Sequence, residues 1–165
     1  MEQLPQSADV VVIGAGVVGN AAVAHLADLG WRSIVQLDKG PLPDPGGSTG
    51  HASNFVFPVD HSKEITDLTV DSLRQYTALG VLEHSGGIEV ARSAERMQEL
   101  TRRMTSALSW GVEAHLVSPA EIQELVPFCD ASLLIGGFHT PTAAILDPLR
   151  AGELFRARAE EAGAL

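Results

Sequence analysis

The sequence is short of three things, and each shortage closes off a class of chemistry. It has one cysteine, Cys129, in 165 residues. An internal disulfide, a cysteine-rich zinc site and an iron–sulfur cluster are therefore excluded as products of this chain alone. A single thiol suits a reducing compartment, so the expected location is the cytoplasm. Basic residues are also few: 11 Lys and Arg stand against 21 Asp and Glu, a net charge of −10. That balance argues against nucleic acid and anionic membrane as partners. Long unbroken apolar runs are missing as well. Residues 10–26 come nearest, but Gly14, Gly16, Gly19 and Asn20 interrupt them and no basic residue precedes them. The stretch reads as a buried strand and helix, not as a targeting segment or a membrane span. The histidines stand at no metal-ligand spacing, so no metal is expected.

What is present begins at Val10, Val11, Val12 and Ile13, four β-branched residues in a row. Such a run suits a strand of a parallel sheet buried on both faces. Gly14, Ala15, Gly16, Val17, Val18 and Gly19 follow without a spacer, and an apolar helix continues through Leu29. Gly14 permits a tight turn, Gly16 lets a pyrophosphate approach the backbone, and Gly19 lets helix and strand pack closely. The amides of Val17 and Val18 would fall in the first helical turn, where unpaired N–H groups and the helix dipole favour an anion. A second short strand at residues 33–37 ends at Asp38, 19 residues after Gly19. Its carboxylate can accept hydrogen bonds from both hydroxyls of an adenosine ribose. Strand, glycine turn, helix, strand and acid together predict a dinucleotide site.

Residues 39–52 hold three prolines and several glycines, which predicts a long irregular loop beside the same ligand. Ser48 and Thr49 carry hydroxyls that can reach phosphate oxygens or cap a helix. Further on, Ser62, Ser93 and Ser118 each precede a helical pattern and read as caps, the last with Pro119 and Glu121 behind it. The helix after Ser62 is expected to bury Ile65, Leu68, Leu73, Tyr76 and Leu79. The helix after Ser93 is expected to bury Met97, Leu100, Met104, Ala107 and Leu108. A turn into a strand is expected at residues 85–91, strands at 114–117 and 133–139, a loop at 141–145, and a last helix from Asp147-Pro148 to about Gly163.

At the loop the motifs become specific. G-A-G-V-V-G at 14–19, L-D-K-G-P-L-P at 37–43 and P-G-G-S-T-G-H-A-S at 45–53 resemble the dimethylglycine and sarcosine dehydrogenase/oxidase family. These are FAD enzymes of the D-amino-acid-oxidase-like superfamily. The segments at 85–91, 110–121 and 136–141 are similar too, so the resemblance covers nearly the whole chain. It implies an α/β fold: a Rossmann-like FAD-binding βαβ domain with the start of an α+β substrate region, incomplete at the C-terminus. Residues 1–165 would form one N-terminal FAD-binding domain, truncated, with the rest of the chain or a partner subunit completing the sheet. Gly14, Gly16 and Gly19, with the Val17 and Val18 amides, would hold the FAD pyrophosphate. Asp38 and Lys39 would sit at the ribose, and Ser48, Thr49 and Gly50 would line the flavin side. His51 would carry the flavin covalently through its 8α-methyl carbon, and Phe55 could flank the isoalloxazine. Members commonly continue H-A-x-G, whereas this chain has Asn54 in place of the glycine. Asparagine tolerates a left-handed backbone, so the turn can survive.

The implied reaction is oxidation of an N-methyl amine, with a hydride leaving the carbon beside nitrogen. In the family the substrate-contacting residues lie mainly beyond the region matched here, so no catalytic residue is assigned and the chain alone is expected to be inactive. The alternative is a non-catalytic nucleotide-binding subunit or fragment completed by a second chain. A nicotinamide-dependent dehydrogenase is a third reading, and G-S-T-G-H speaks against it.

Overall fold

The computed structural model describes residues 5–44 and 46–165, so the start of the polar lead and Pro45 of the loop motif lie outside the described residues. In chain order the elements are β1 (Val10–Ile13), α1 (Val17–Asp28), β2 (Ile34–Leu37), β3 (Phe55–Val56) and α2 (Lys63–Leu79). There follow β4 (Leu82–Glu83), β5 (Gly87–Ala91), α3 (Ala94–Ser109), β6 (His115–Val117) and α4 (Pro119–Leu125). The last are β7 (Gly136–Thr140), β8 (Ala144–Leu146) and α5 (Pro148–Glu161). They divide into two compact units: residues up to Asn54 with Asp147–Leu165, and Phe55–Leu146.

In the first unit β1 and β2 run parallel, with Val10 opposite Ile34 and Ile13 opposite Leu37. The crossover is α1, which the β-branched run feeds through the glycine turn. Gly30, at φ 97°, stops that helix where only a residue free of a Cβ penalty fits well. Helix α5 packs against α1. Buried Ala24 and Ala27 on one helix and Ala151 and Ala159 on the other allow a close approach. The ring of His25 lies 5.8 Å from that of Phe155, and Arg158 pairs with Asp28. The backbone of Leu165 donates to the Ile34 carbonyl at 3.0 Å and accepts from the Gln36 amide at 2.7 Å, on the edge of β2 that β1 does not use.

In the second unit β5, β7 and β6 form an antiparallel sheet with β7 in the middle, and β3, β8 and β4 form another with β8 in the middle. Its core gathers Val59, Ala91, Leu100, Ala107, Val112 and Phe138, with Phe57, Met97 and Met104 packed against it. Caps at Ser62, Ser93 and Ser118 form as the sequence predicts, the last with its reciprocal Glu121 bond.

Five details differ from the sequence reading. Strand β1 is expected to be buried on both faces, yet Val11 and Ile13 are exposed, because a sheet of two strands has too little cover for both faces. On α2, Ile65 and Leu68 are exposed and the buried positions are Thr66 and Leu73, because the Thr66 hydroxyl turns inward to accept from the Asp60 amide. On α3, Leu108 is exposed and Arg103 is buried instead. Its guanidinium is held by Glu89 at 2.6 Å and the Val59 carbonyl at 3.0 Å, over the rings of Phe57 and Phe138. Strand β7 starts three residues later than expected, since Ala131–Leu133 winds into a 3-10 turn capped by Asp130. The expected loop at 141–145 instead enters strand β8, which pairs on both sides. Among the described residues no helix is long and apolar enough to cross a membrane.

Candidate functional site

The glycine turn is built from backbone geometry that other residues would refuse. Gly14 stands at φ 113°, outside the range of ordinary L-residues. A Cβ on Gly19 would fall 2.0 Å from the Gly14 carbonyl oxygen, so the first turn of α1 can close on the end of β1 only with glycine there. A Cβ on Gly16 would meet the Thr49 hydroxyl at 2.9 Å. That glycine therefore makes room for the loop.

Asp38, at the end of β2, turns back onto the turn. One carboxylate oxygen accepts from the Ala15 amide at 2.7 Å and the other from the Gly40 amide at 2.8 Å. The Gly40 and Ala15 amides hold the carboxyl below the usual carboxylate range, so it is an anion at neutral pH. Thr49 closes the other side: its hydroxyl accepts from the Val17 amide at 3.0 Å. Of the two roles the sequence leaves open for Ser48 and Thr49, neither caps its own turn. Ser48–His51 is a short 3-10 turn whose cap position is Gly47, with no side-chain cap bond. Thr49 instead serves the start of α1, a contact between segments 32 residues apart that local sequence does not announce.

These elements line an open cavity of about 580 Å³, bordered by Ile13, Gly14, Gly16, Leu37, Asp38 and Lys39, with Gly46, Gly47, Ser48 and Thr49 completing it. Gly14, Gly16, Asp38, Lys39, Ser48 and Thr49, all singled out in the sequence, thus face one space. Val17 is tied to its wall through Thr49, and Gly19 lies behind the turn. The Val18 side chain is exposed. Gly50 is not part of the lining. It packs on Asp44, whose two carboxylate oxygens would each lie 2.9 Å from a Cβ at that position. His51 is exposed, with Nδ1 3.0 Å from the Gly47 carbonyl. Asn54 adopts φ 64°, the left-handed backbone that the sequence reading requires of it. Phe55 belongs to β3 in the second unit, paired with Ile145, its ring 5.7 Å from that of Phe57.

Two residues of this site were invisible as such in the sequence. The Gln36 amide nitrogen donates to the Gly14 carbonyl at 2.9 Å and to the Asn20 side-chain oxygen at 3.0 Å. Asn20, buried, donates in turn to the Ala15 carbonyl at 3.0 Å. The signal available was weak: one polar amide in each of two adjoining apolar runs.

The comparisons with known proteins agree with this geometry. The family model described as FAD dependent oxidoreductase matches residues 9–165. The mitochondrial sarcosine dehydrogenase of Homo sapiens is 32% identical over 154 residues, which are 88% of this chain and 16% of that protein. The mitochondrial dimethylglycine dehydrogenase of Homo sapiens is 28% identical over 170 residues, 99% of this chain and 19% of that protein. The crystal structure of L-proline dehydrogenase from P. horikoshii superposes with a TM-score of 0.89 at 26% identity, covering 98% of this chain and 44% of that one. The chain therefore spans less than a fifth of the length of these two dehydrogenases and under half of the superposed structure. With a family model matched from Asp9 to the last residue, on a glycine turn, an acid and a loop that share one cavity, this chain belongs to the family of FAD-dependent oxidoreductases.

Proposed function

We propose that this chain is the FAD-binding part of an enzyme that oxidises an N-methyl amino acid such as sarcosine or dimethylglycine. The observation that carries the reading is the chemistry shared by three similar proteins. Sarcosine, dimethylglycine and proline, named in their descriptions, are all amino acids whose nitrogen bears an alkyl group. FAD, when bound, supplies the acceptor for a hydride from the carbon beside that nitrogen, leaving an imine that water hydrolyses.

The residues present fit this cofactor. The cavity has a bare backbone at Gly14 and Gly16, and an ionised carboxylate at Asp38 able to accept from ribose hydroxyls. In this reading Gly14, Gly16, Val17, Val18 and Gly19 hold the pyrophosphate against the start of α1. Asp38 and Lys39 hold the ribose, while Ser48, Thr49 and Gly50 form the flavin side. His51 is the residue proposed to carry the flavin covalently. With its Nδ1 donating to the Gly47 carbonyl, Nε2 keeps its lone pair for that bond.

The test uses the product of the complete gene, made in the presence of riboflavin. Its mass is measured after denaturation, and its visible flavin absorbance is followed on anaerobic addition of sarcosine, dimethylglycine or glycine. The expected result is a flavin-sized increment on the peptide containing His51, with bleaching by the N-methylated amino acids and not by glycine. Flavin released on denaturation would remove the covalent role of His51 and keep the cofactor. Bound flavin that no amine bleaches would overturn the amine reading in favour of a non-catalytic FAD-binding subunit.

A further inference from the structure

We infer that Asn20 and Gln36 are positioning residues for the phosphate-binding turn: their side-chain amides lock two successive peptide planes so that the Gly16 N–H is presented to the FAD pyrophosphate. The inference rests on the assignment of the glycine turn to that pyrophosphate.

In a trans peptide the C=O and the next N–H point in opposite directions. The plane joining Gly14 and Ala15 is gripped at both ends. Its carbonyl accepts from the Gln36 amide nitrogen at 2.9 Å, and its N–H donates to Asp38 at 2.7 Å. The next plane is gripped at one end only. Its carbonyl, from Ala15, accepts from Asn20 at 3.0 Å. Its N–H, from Gly16, makes no hydrogen bond among the described residues. With the carbonyl drawn inward to Asn20, that N–H is turned outward, and Gly16 lines the cavity. The Gln36–Asn20 bond at 3.0 Å joins the two grips into one unit.

The amide orientations are forced. Carbonyls only accept, so Gln36 must turn its nitrogen to Gly14 and Asn20 its nitrogen to Ala15. The oxygen of Asn20 is then left to accept from Gln36. Neither Asp nor Glu could take these places, since a carboxylate has nothing to donate. Asn20 is 5% exposed, so its amide would be costly to bury unless each of these bonds is made. Helix α5 is shaped to admit it: a Cβ on Gly152 would fall 3.0 Å from the Asn20 amide nitrogen. A residue far along the chain, on the helix packed against α1, thus has no side chain where the Asn20 amide must fit.

Three variants of the complete gene product test the inference: Gln36→Met, which keeps the length and removes the donor; Gln36→Glu, which keeps the shape and removes the donor; and Gly152→Ala, which leaves the turn untouched and crowds Asn20. For each, the dissociation constants of FAD and of ADP, the urea midpoint and the exchange rates of the Ala15 and Val17 amides are measured. Loss of one charge-assisted contact to phosphate predicts roughly tenfold weaker binding of both ligands in the two Gln36 variants. A smaller loss of affinity is expected in Gly152→Ala, although alanine favours a helix more than glycine does. The Ala15 and Val17 amides should exchange about tenfold faster, with amides of β7 unchanged. Unaltered affinities in all three variants would overturn the inference, whatever the urea midpoint does. So would a fall in the midpoint with no change at Ala15 and Val17, which is what a merely structural pair would give. If the parent chain takes up neither ligand, the assignment of the turn to the pyrophosphate fails in this chain, while the exchange rates still decide whether the pair holds the turn.

Discussion

The two units of this molecule use the same kinds of residue for opposite ends. In the first, the backbone does the work. Apolar side chains at Ile13 and Val18 are 86% and 79% exposed, while side chains such as Asp38, Thr49, Asn20 and Gln36 are spent on holding main-chain amides and carbonyls of one turn. In the second, the side chains do the work. Phe138 and Leu100 are fully buried, and even a guanidinium, that of Arg103, is drawn among rings and paired with Glu89. A unit that offers its backbone to a ligand must leave that backbone partly unpaired. A unit that packs a closed core need not. The difference shows why a single added methyl group can matter more than a lost ring in one place and less in another.

The largest expected effect lies in the second unit. Phe138→Ala removes a fully buried ring that stands edge-on to Phe57 at 5.8 Å and beneath Arg103, and should cost about 4 kcal/mol in urea unfolding. Affinity for ADP should survive at temperatures where the variant is folded. Loss of binding in the folded variant would break the contrast between the units. Next comes Gly19→Ala. Its Cβ would sit 2.0 Å from a backbone oxygen, which nothing flexible can relieve, so a cost of about 3 kcal/mol and complete loss of ADP and FAD binding are expected. Calorimetric titration is the check, and binding within threefold of the parent, roughly 0.65 kcal/mol, would remove the turn from the site.

A smaller effect is expected from Thr49→Val, which keeps the shape and removes the acceptor for the Val17 amide. The loss should be about 1 kcal/mol in stability without ligand, and less when FAD is bound and a phosphate oxygen can take that amide. Equal losses with and without FAD would show that the amide never turns to the cofactor. The smallest effect concerns pH in the second unit. Burial, and then the neighbouring His115, push His139 below the ordinary histidine value, with Glu113 opposing. The unfolded chain then binds this proton more readily than the folded one. Stability from the neutral ring is present above about pH 6.5 and is lost as pH falls through the folded value. His139→Gln should therefore flatten the decline in urea midpoint below about pH 6.5.

Much of the first unit was legible because its constraints are local. Gly14 and Gly19 are each required by backbone geometry within six residues, and Asp38 follows the end of the adjoining strand. The serine caps were legible for the same reason. Asn54 was legible from a single substitution against a motif, since few other residues take its backbone angle. What escaped were contacts decided by tertiary approach. Thr49 could be seen as a hydroxyl near phosphate, but its hold on Val17 depends on how the loop returns. Asn20 and Gln36 looked like blemishes in apolar runs, and only their pairing explains either. Ile65 and Leu68 were expected inside by their spacing, yet spacing alone does not say which of two neighbouring faces a helix turns inward. Leu108 and Arg103 on α3 teach the same lesson. A long aliphatic stem with a paired head can take the place expected of a leucine.

The bond between Val17 and Thr49 has one more consequence. It joins two walls of the cavity that are 32 positions apart along the chain. A ligand that touched one wall first would otherwise have to wait for a long, proline-rich loop to find it, and the entropy of closing that loop would be charged against binding. Here the second wall is held at a high local concentration next to the first before any ligand arrives. Recognition then resembles a bivalent encounter whose linker has already been shortened.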